Sequence, residues 1–170
     1  MQIGSQVIDR NDVALAGLRI FVGFLFIMFG QYKIFGTQFI YGGGFVSYIN
    51  GFIAHGAYPF MLPVLKNFVL AHPTALAYLV SFGEMAIGLG LVLGVLVRTA
   101  SVFGCVFMLA MLFSSNYPGA GVPLWRYFGA SLQTNTLVIC FAAFVLGDAG
   151  RVLSLGKYLR KRGHSGGPKK

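Results

Sequence analysis

Five charged side chains stand within or at the edges of long apolar runs: Arg19, Lys33, Glu84, Arg98 and Asp148. A charge in hydrocarbon is expensive, so such groups normally face other helices, a polar partner or a cavity. The chemistry open to them is ion pairing, hydrogen bonding to a buried ligand, or proton transfer. Glu84 is the sharpest case, the one acid in residues 73–98, where 24 residues are uncharged and an arginine closes the run. On helices rising about 1.5 Å per residue, Glu84 lies about 21 Å from the Arg98 end, Arg19 about 10 Å and Lys33 about 31 Å. No cation has its backbone level with the acid. Two readings follow. Either Glu84 is held neutral as a hydrogen-bond donor to a ligand carbonyl, the Gln31 amide or a backbone carbonyl, or Lys33 reaches inward and the pair is structural. Arg19 and Asp148 both lie within about 10 Å of one membrane surface, which matches them as a second pair.

The segments that must position these groups read as helices. Residues 13–32 make a first span in which Arg19, Gly23, Phe26, Gly30 and Lys33 fall on one stripe. Glycines on that stripe permit close approach of a neighbour, which favours an inward Arg19 over one that snorkels to the interface. Residues 73–98 make the second span. Gly83, Gly90 and Gly94 fall on one side of it, expected to pack closely, and Glu84, Gly88, Leu91 and Arg98 on another. A single helix over residues 73–117 would be about 67 Å long, twice what a bilayer hides. The chain must therefore reverse near residues 94–99, with Arg98 at the turn. A last span runs from about Thr134 to Leu146 and on past Asp148.

Between the first two spans, residues 34–72 carry one formal charge, Lys66. Phe45, Tyr48, Ile49, Phe52 and Ile53 have helical spacing, ended by Gly56 and Pro59, and Pro63 opens a second short helix through Leu70. Neither is long enough to span, so both read as interfacial or re-entrant, with the glycine run 42–44 as a hinge. Residues 114–133 read as a turn region with interfacial aromatics.

Composition bounds the class. Of 170 residues, 56% are hydrophobic and only 10% charged, against about 25% in soluble domains. The expectation is an all-α membrane protein: a four-transmembrane-helix bundle with one or two short interfacial or re-entrant helices between the first and second spans. Residues 1–156 form that domain and 157–170 a basic flexible tail. Cys105 and Cys140 stand singly in apolar runs and read as core residues. His55 and His72 lie far from any Cys, Asp or Glu, and no metal site is expected. Seven of the 13 Lys and Arg fall in residues 151–170. Without aromatic–basic interleaving this excludes nucleic-acid binding and points to topology and anionic lipid. With both termini cytoplasmic, nine cations lie inside and Lys33, Lys66 and Arg126 outside. Residues 1–12 lack a cleavable-signal pattern, so the first span is expected to be retained.

Three stretches then carry a resemblance: LRIFVGFLFIMFGQYKIFG with Arg19, Gly23, Gly30 and Lys33; EMAIGLGLVLGVLVRTAS with Glu84, Gly88, Gly94 and Arg98; and the terminal GDAGRVLSL. Over about residues 13–156 the chain resembles the DoxX/DoxD family of small four-helix bacterial membrane proteins. The long apolar connection is more like the DoxD type, the small subunit of thiosulfate:quinone oxidoreductase. In GDAGRVLSL the acid precedes Gly-Arg, a departure that bears on Asp148. The resemblance implies a bacterial inner-membrane location and a subunit of a quinone-linked redox complex, acting as anchor and contributing to a quinone site. Its partners would be the bilayer and another membrane or peripheral redox subunit, or a second copy. The chain has no histidine pair for haem, no cysteine cluster and no nucleotide fingerprint, so electrons would pass through a partner or a diffusible quinone. Two alternatives stand beside this: a structural or assembly partner without redox role and, behind both, a small transporter using Glu84, Arg19 and Asp148.

Overall fold

The computed structural model describes residues 9–36 and 38–156; the segment read as a basic tail, 157–170, lies outside them. Helix α1 spans Arg10–Gln31, is capped by the Asp9 carboxylate, and continues through a π-helical turn, Tyr32–Gly36. Two short helices follow, α2 (Gly44–His55) and α3 (Leu62–Val64), the latter continuing as a π-helical turn over Leu65–Val69. Then come α4 (Pro73–Leu93), α5 (Val97–Ser115), a one-turn α6 (Leu124–Gly129) and α7 (Leu132–Leu146). The architecture is all-helical. Three helices, α1 with its π turn, α4 and α5, are long and apolar enough to cross a membrane. The fourth apolar helix, α7, has 15 residues. At about 1.5 Å per residue it covers less than a hydrocarbon core of about 30 Å.

The helices meet in the order α1–α4–α5–α7, and the α1–α4 contact is the most extensive. Its cause is the glycine pattern. A Cβ at Gly88 would lie 2.7 Å from the Gly23 carbonyl oxygen, and one at Gly30 would lie 2.9 Å from the Met85 nitrogen. The two backbones therefore touch, and Arg19, Gly23, Phe26 and Gly30 are all buried along that stripe. This corrects one expectation. The tightest approach of α4 is on the side of Glu84 and Gly88, whereas a Cβ at Gly83 would meet nothing within 4 Å. Gly90 approaches Ala100 across the α4–α5 hairpin, and Gly94 lies against Ser154.

The chain reverses within the expected residues 94–99, at the near end of that stretch. Gly94 takes the left-handed conformation (φ 69°) that closes α4, and Leu96 (φ 52°) starts α5. Arg98 belongs to the first turn of α5, exposed, and shares no helix face with Glu84. Likewise α7 stops at Leu146 and does not run past Asp148, which takes a positive φ of 48°.

Two cores result. The larger joins Val22 and Phe26 of α1, Ile87 and Leu91 of α4, Met108 of α5, and Phe141 and Phe144 of α7. Phe26 packs edge-on against Phe141 at 5.1 Å between centroids. The smaller lies under α2 and α3, built from Phe39, Phe45, Ile49, Ala57, Leu65 and Ala77. It makes a lid over one end of the bundle, tied down by backbone bonds from Tyr58 to Phe113 and from Tyr117 to Gly56.

Candidate functional site

The stripe on α1 carries a cation at each end, and the structure treats the two differently. Arg19 is fully buried. Its guanidinium donates to the Ala149 carbonyl at 2.9 Å and to the Leu153 carbonyl at 2.7 Å. Irregular backbone makes these oxygens available: after α7 the chain folds back under α1 through positive-φ residues Asp148 and Leu153. The Ser154 hydroxyl then donates to the Gly94 carbonyl at 2.5 Å, tying the segment to the α4–α5 turn. The expected Arg19–Asp148 pair is not formed. Asp148 is exposed, because its place in the turn points the carbonyls of its neighbours, not its own carboxylate, at the guanidinium. Beside this turn, Arg151 lies 3.5 Å from the Asp12 carboxylate, near the start of α1.

At the other end, the Lys33 ammonium donates to Oε1 of Glu84 at 2.5 Å. The π-helical turn places Lys33 beside α4, and its four-carbon stem bridges the depth difference that separates the two backbones. Lys33 also stands over the rings of Phe39 and Phe107, 5.4 and 5.9 Å from their centroids, within cation–π reach. Glu84 is 6% exposed, and its Oε2 is buried with no donor among the described residues. Of the two readings of Glu84, the one with Lys33 reaching inward describes this geometry.

A cavity of about 210 Å³ adjoins the pair. It is lined by Phe26 and Phe29 of α1, Phe107, Met108 and Met111 of α5, and Gln133, Thr134 and Leu137 of α7. Its polar groups are those of Lys33, Glu84, Gln133 and Thr134, with aromatic and thioether surface around them. Its volume lies below the roughly 300 Å³ from which ligand pockets run. Near the lid, Tyr58, Tyr117, Phe60 and Phe113 form an aromatic cluster. Burial, then Tyr127 and Tyr117, push the Tyr58 phenol above its ordinary value.

Sequence reasoning brought Glu84 and Lys33 into view but not Phe107, Met108, Gln133 or Thr134. Phe107 is one of 17 phenylalanines in an apolar chain, and nothing in its spacing separates it from those that face lipid. Gln133 and Thr134, at the start of α7, carried a usable signal, as polar residues opening an apolar run. Among the described residues no group of three or more His, Cys, Asp or Glu could hold a metal ion.

Apolar helices packed through glycine contacts, with charged groups turned inward and partnered, define a polytopic helical membrane protein. A model of the DoxX family matches residues 14–116, more than half of the chain, from the start of α1 through α5. The chain belongs to the DoxX family. Helix α7 and the Arg19-bound segment after it lie beyond the matched region. No curated protein and no solved structure matches the chain.

Proposed function

We propose that this protein is the membrane-embedded subunit of a quinone-linked oxidoreductase, anchoring a partner that carries the redox centre and supplying part of a quinone site. The observation that carries this reading is the Lys33–Glu84 pair beside a cavity lined by aromatic and methionine side chains. A flat, polarisable head group fits such a lining, and buried ionisable groups within spanning helices mark ligand or proton sites more often than packing demands them. The chain itself supplies no electron carrier in this reading; the partner and the quinone do.

The same reading sets the protein in a bacterial inner membrane with both termini cytoplasmic, following the bias of Lys and Arg to that side. Labelling of a cysteine introduced at position 165 from outside intact cells would overturn that orientation. A second reading, a structural partner without redox role, draws on the aromatic surface of the lid and the α6 turn, where Tyr41, Phe60, Trp125 and Phe128 are exposed. Gentle isolation with identification of co-purifying chains and extraction of bound quinone separates the two. The redox reading expects a cofactor-bearing chain and stoichiometric quinone. A partner chain recovered with no quinone and no redox centre rejects it in favour of the structural one.

A further inference from the structure

An ammonium has three N–H donors, and at Lys33 the fold uses one of them. That one goes to Oε1 of Glu84, and Lys33 makes no other hydrogen bond among the described residues. The lysine side chain is 22% exposed and lines the bundle cavity together with Phe107, whose ring centre lies 5.9 Å from the ammonium. The Phe39 ring stands 5.4 Å away. Two aromatic faces and a carboxylate thus hold the ammonium beside the cavity with donors to spare. Phe29 and Gln133 line the same cavity and are exposed, so it opens at that edge and a ligand need not fit inside it whole.

The pair sets the chemistry of the occupant. A charged lysine has no lone pair, so the ligand atom that meets it is an acceptor. Glu84 already balances the ammonium. An anion would therefore bring net charge into a largely buried setting, at a cost that a neutral acceptor avoids. The lining adds a shape. Phe26, Phe29 and Phe107 offer ring faces and Met108 and Met111 thioethers, which suit a flat, polarisable ring. A neutral carbonyl carried on such a ring meets all three conditions.

We infer that Lys33 is the residue of this cavity that touches the ligand, donating a hydrogen bond to one carbonyl oxygen of a neutral, planar quinone while it keeps its bond to Glu84. Glu84 is the positioning residue, which holds the ammonium at the cavity and cancels its charge. The assignment rests on the quinone-linked reading and deepens it: it names the ligand atom that is held and tells apart the roles of the two ionisable groups.

The test uses the full-length protein in dodecyl maltoside, a detergent without carbonyl groups. The probes are 2,3-dimethyl-1,4-naphthoquinone, the hydrocarbon 2,3-dimethylnaphthalene, and 2-hydroxy-3-methyl-1,4-naphthoquinone, an anion at neutral pH. In the unmutated protein, infrared spectra are expected to show one carbonyl stretch of the bound dimethylnaphthoquinone lowered by the hydrogen bond. No lowered stretch overturns the donor. The double variant Lys33→Met/Glu84→Gln removes both charges and strands neither. It should lose the lowered stretch, and its preference for the quinone over the hydrocarbon should fall by about tenfold or more, the margin of one hydrogen bond from a charged donor. An unchanged preference overturns Lys33 as the contact. Glu84→Gln leaves the ammonium unbalanced and is expected to raise the affinity for the anion relative to the neutral quinone by about tenfold; an unmoved ratio rejects Glu84 as the balancing charge. Dioctanoylphosphatidylcholine, which brings ester carbonyls without a ring, overturns the planar ligand if it displaces the quinone on equal terms. A redox chain and quinone that co-purify with the protein while the carbonyl stretch ignores Lys33 keep the complex and reject this assignment. A lowered, Lys33-dependent stretch in a protein that co-purifies with no redox chain keeps the assignment and rejects the complex.

Discussion

Arg19 and Lys33 are 14 residues apart, on α1 and on the π-helical turn that continues it, about 21 Å along the axis, and each is a cation drawn inward. Arg19 is sealed. It meets two carbonyls of the chain that follows α7, and the cavity does not reach it. Lys33 meets an acid, and the cavity borders both partners. Each site keeps one buried polar atom without a partner among the described residues, Nε of Arg19 and Oε2 of Glu84. The difference is access. A guanidinium closed in by backbone fixes the fold, while a carboxylate paired with a partly exposed lysine stands beside open space. Burial and charge alone do not separate the two roles; the nature of the partner and the space beside it do.

The comparison breaks first at Arg19. Removing it leaves the Ala149 and Leu153 carbonyls without their donors in a buried setting and frees the segment they anchor. Two hydrogen bonds to a charged group are worth roughly 3–6 kcal/mol together, so Arg19→Ala is expected to cause the largest loss of folded yield and of thermal unfolding midpoint in detergent. Arg19→Lys should recover little, since an ammonium lacks the planar fork that reaches two carbonyls at once. A lysine variant as stable as the parent would show that charge, and not the fork, is what this site uses.

The Lys33–Glu84 pair should behave asymmetrically. Lys33→Met strands a carboxylate whose side chain is 7% exposed, a loss on the order of 3–5 kcal/mol. Glu84→Gln strands a lysine that is 22% exposed and whose stem can turn its charge toward water, so it should cost less. Replacing both removes the buried charges together, and the double variant should be more stable than Lys33→Met alone. Equilibrium unfolding of the four proteins measures the coupling. Strictly additive losses would mean that the two groups do not depend on each other and that the site is not a pair.

How much of this was legible beforehand follows from what each feature depends on. The spans, the hairpin turn and the two short helices were readable because apolar length, Gly94 and the Gly56–Pro59 break act locally. Lys33 and Glu84 were readable as candidates because charge in an apolar run is itself a signal. Arg19's partners were not: they are backbone carbonyls, present in every residue, and only the left-handed turns at Asp148 and Leu153 aim two of them at one point. The packing face of α4 was misjudged for a related reason. Glycine periodicity offered two faces, and the neighbour that chose between them, Gly23 on α1, lies 65 residues away in sequence from Gly88. Gly83 is the complement of that choice, a glycine left uncovered.

The smallest effect is expected at Asp148, and it sharpens the contrast most cheaply. A matched-depth ion pair would make Asp148 the counter-charge of Arg19, and its loss would then cost as much as a stranded buried guanidinium. In the structure the residue is exposed and its carboxylate does not meet Arg19. What the position demands is a backbone at φ 48°, which Asn and Gly adopt as readily as Asp. Asp148→Asn should therefore change stability by no more than about 0.5 kcal/mol, the scale of ordinary surface substitutions. Asp148→Val keeps neither the charge nor the tolerance for positive φ. It should cost about 1–3 kcal/mol, through the turn that presents the Ala149 and Leu153 carbonyls. Thermal unfolding of the two variants side by side separates the explanations: equal losses would restore the carboxylate as Arg19's partner, whereas a neutral Asn beside a damaging Val assigns the position to backbone geometry.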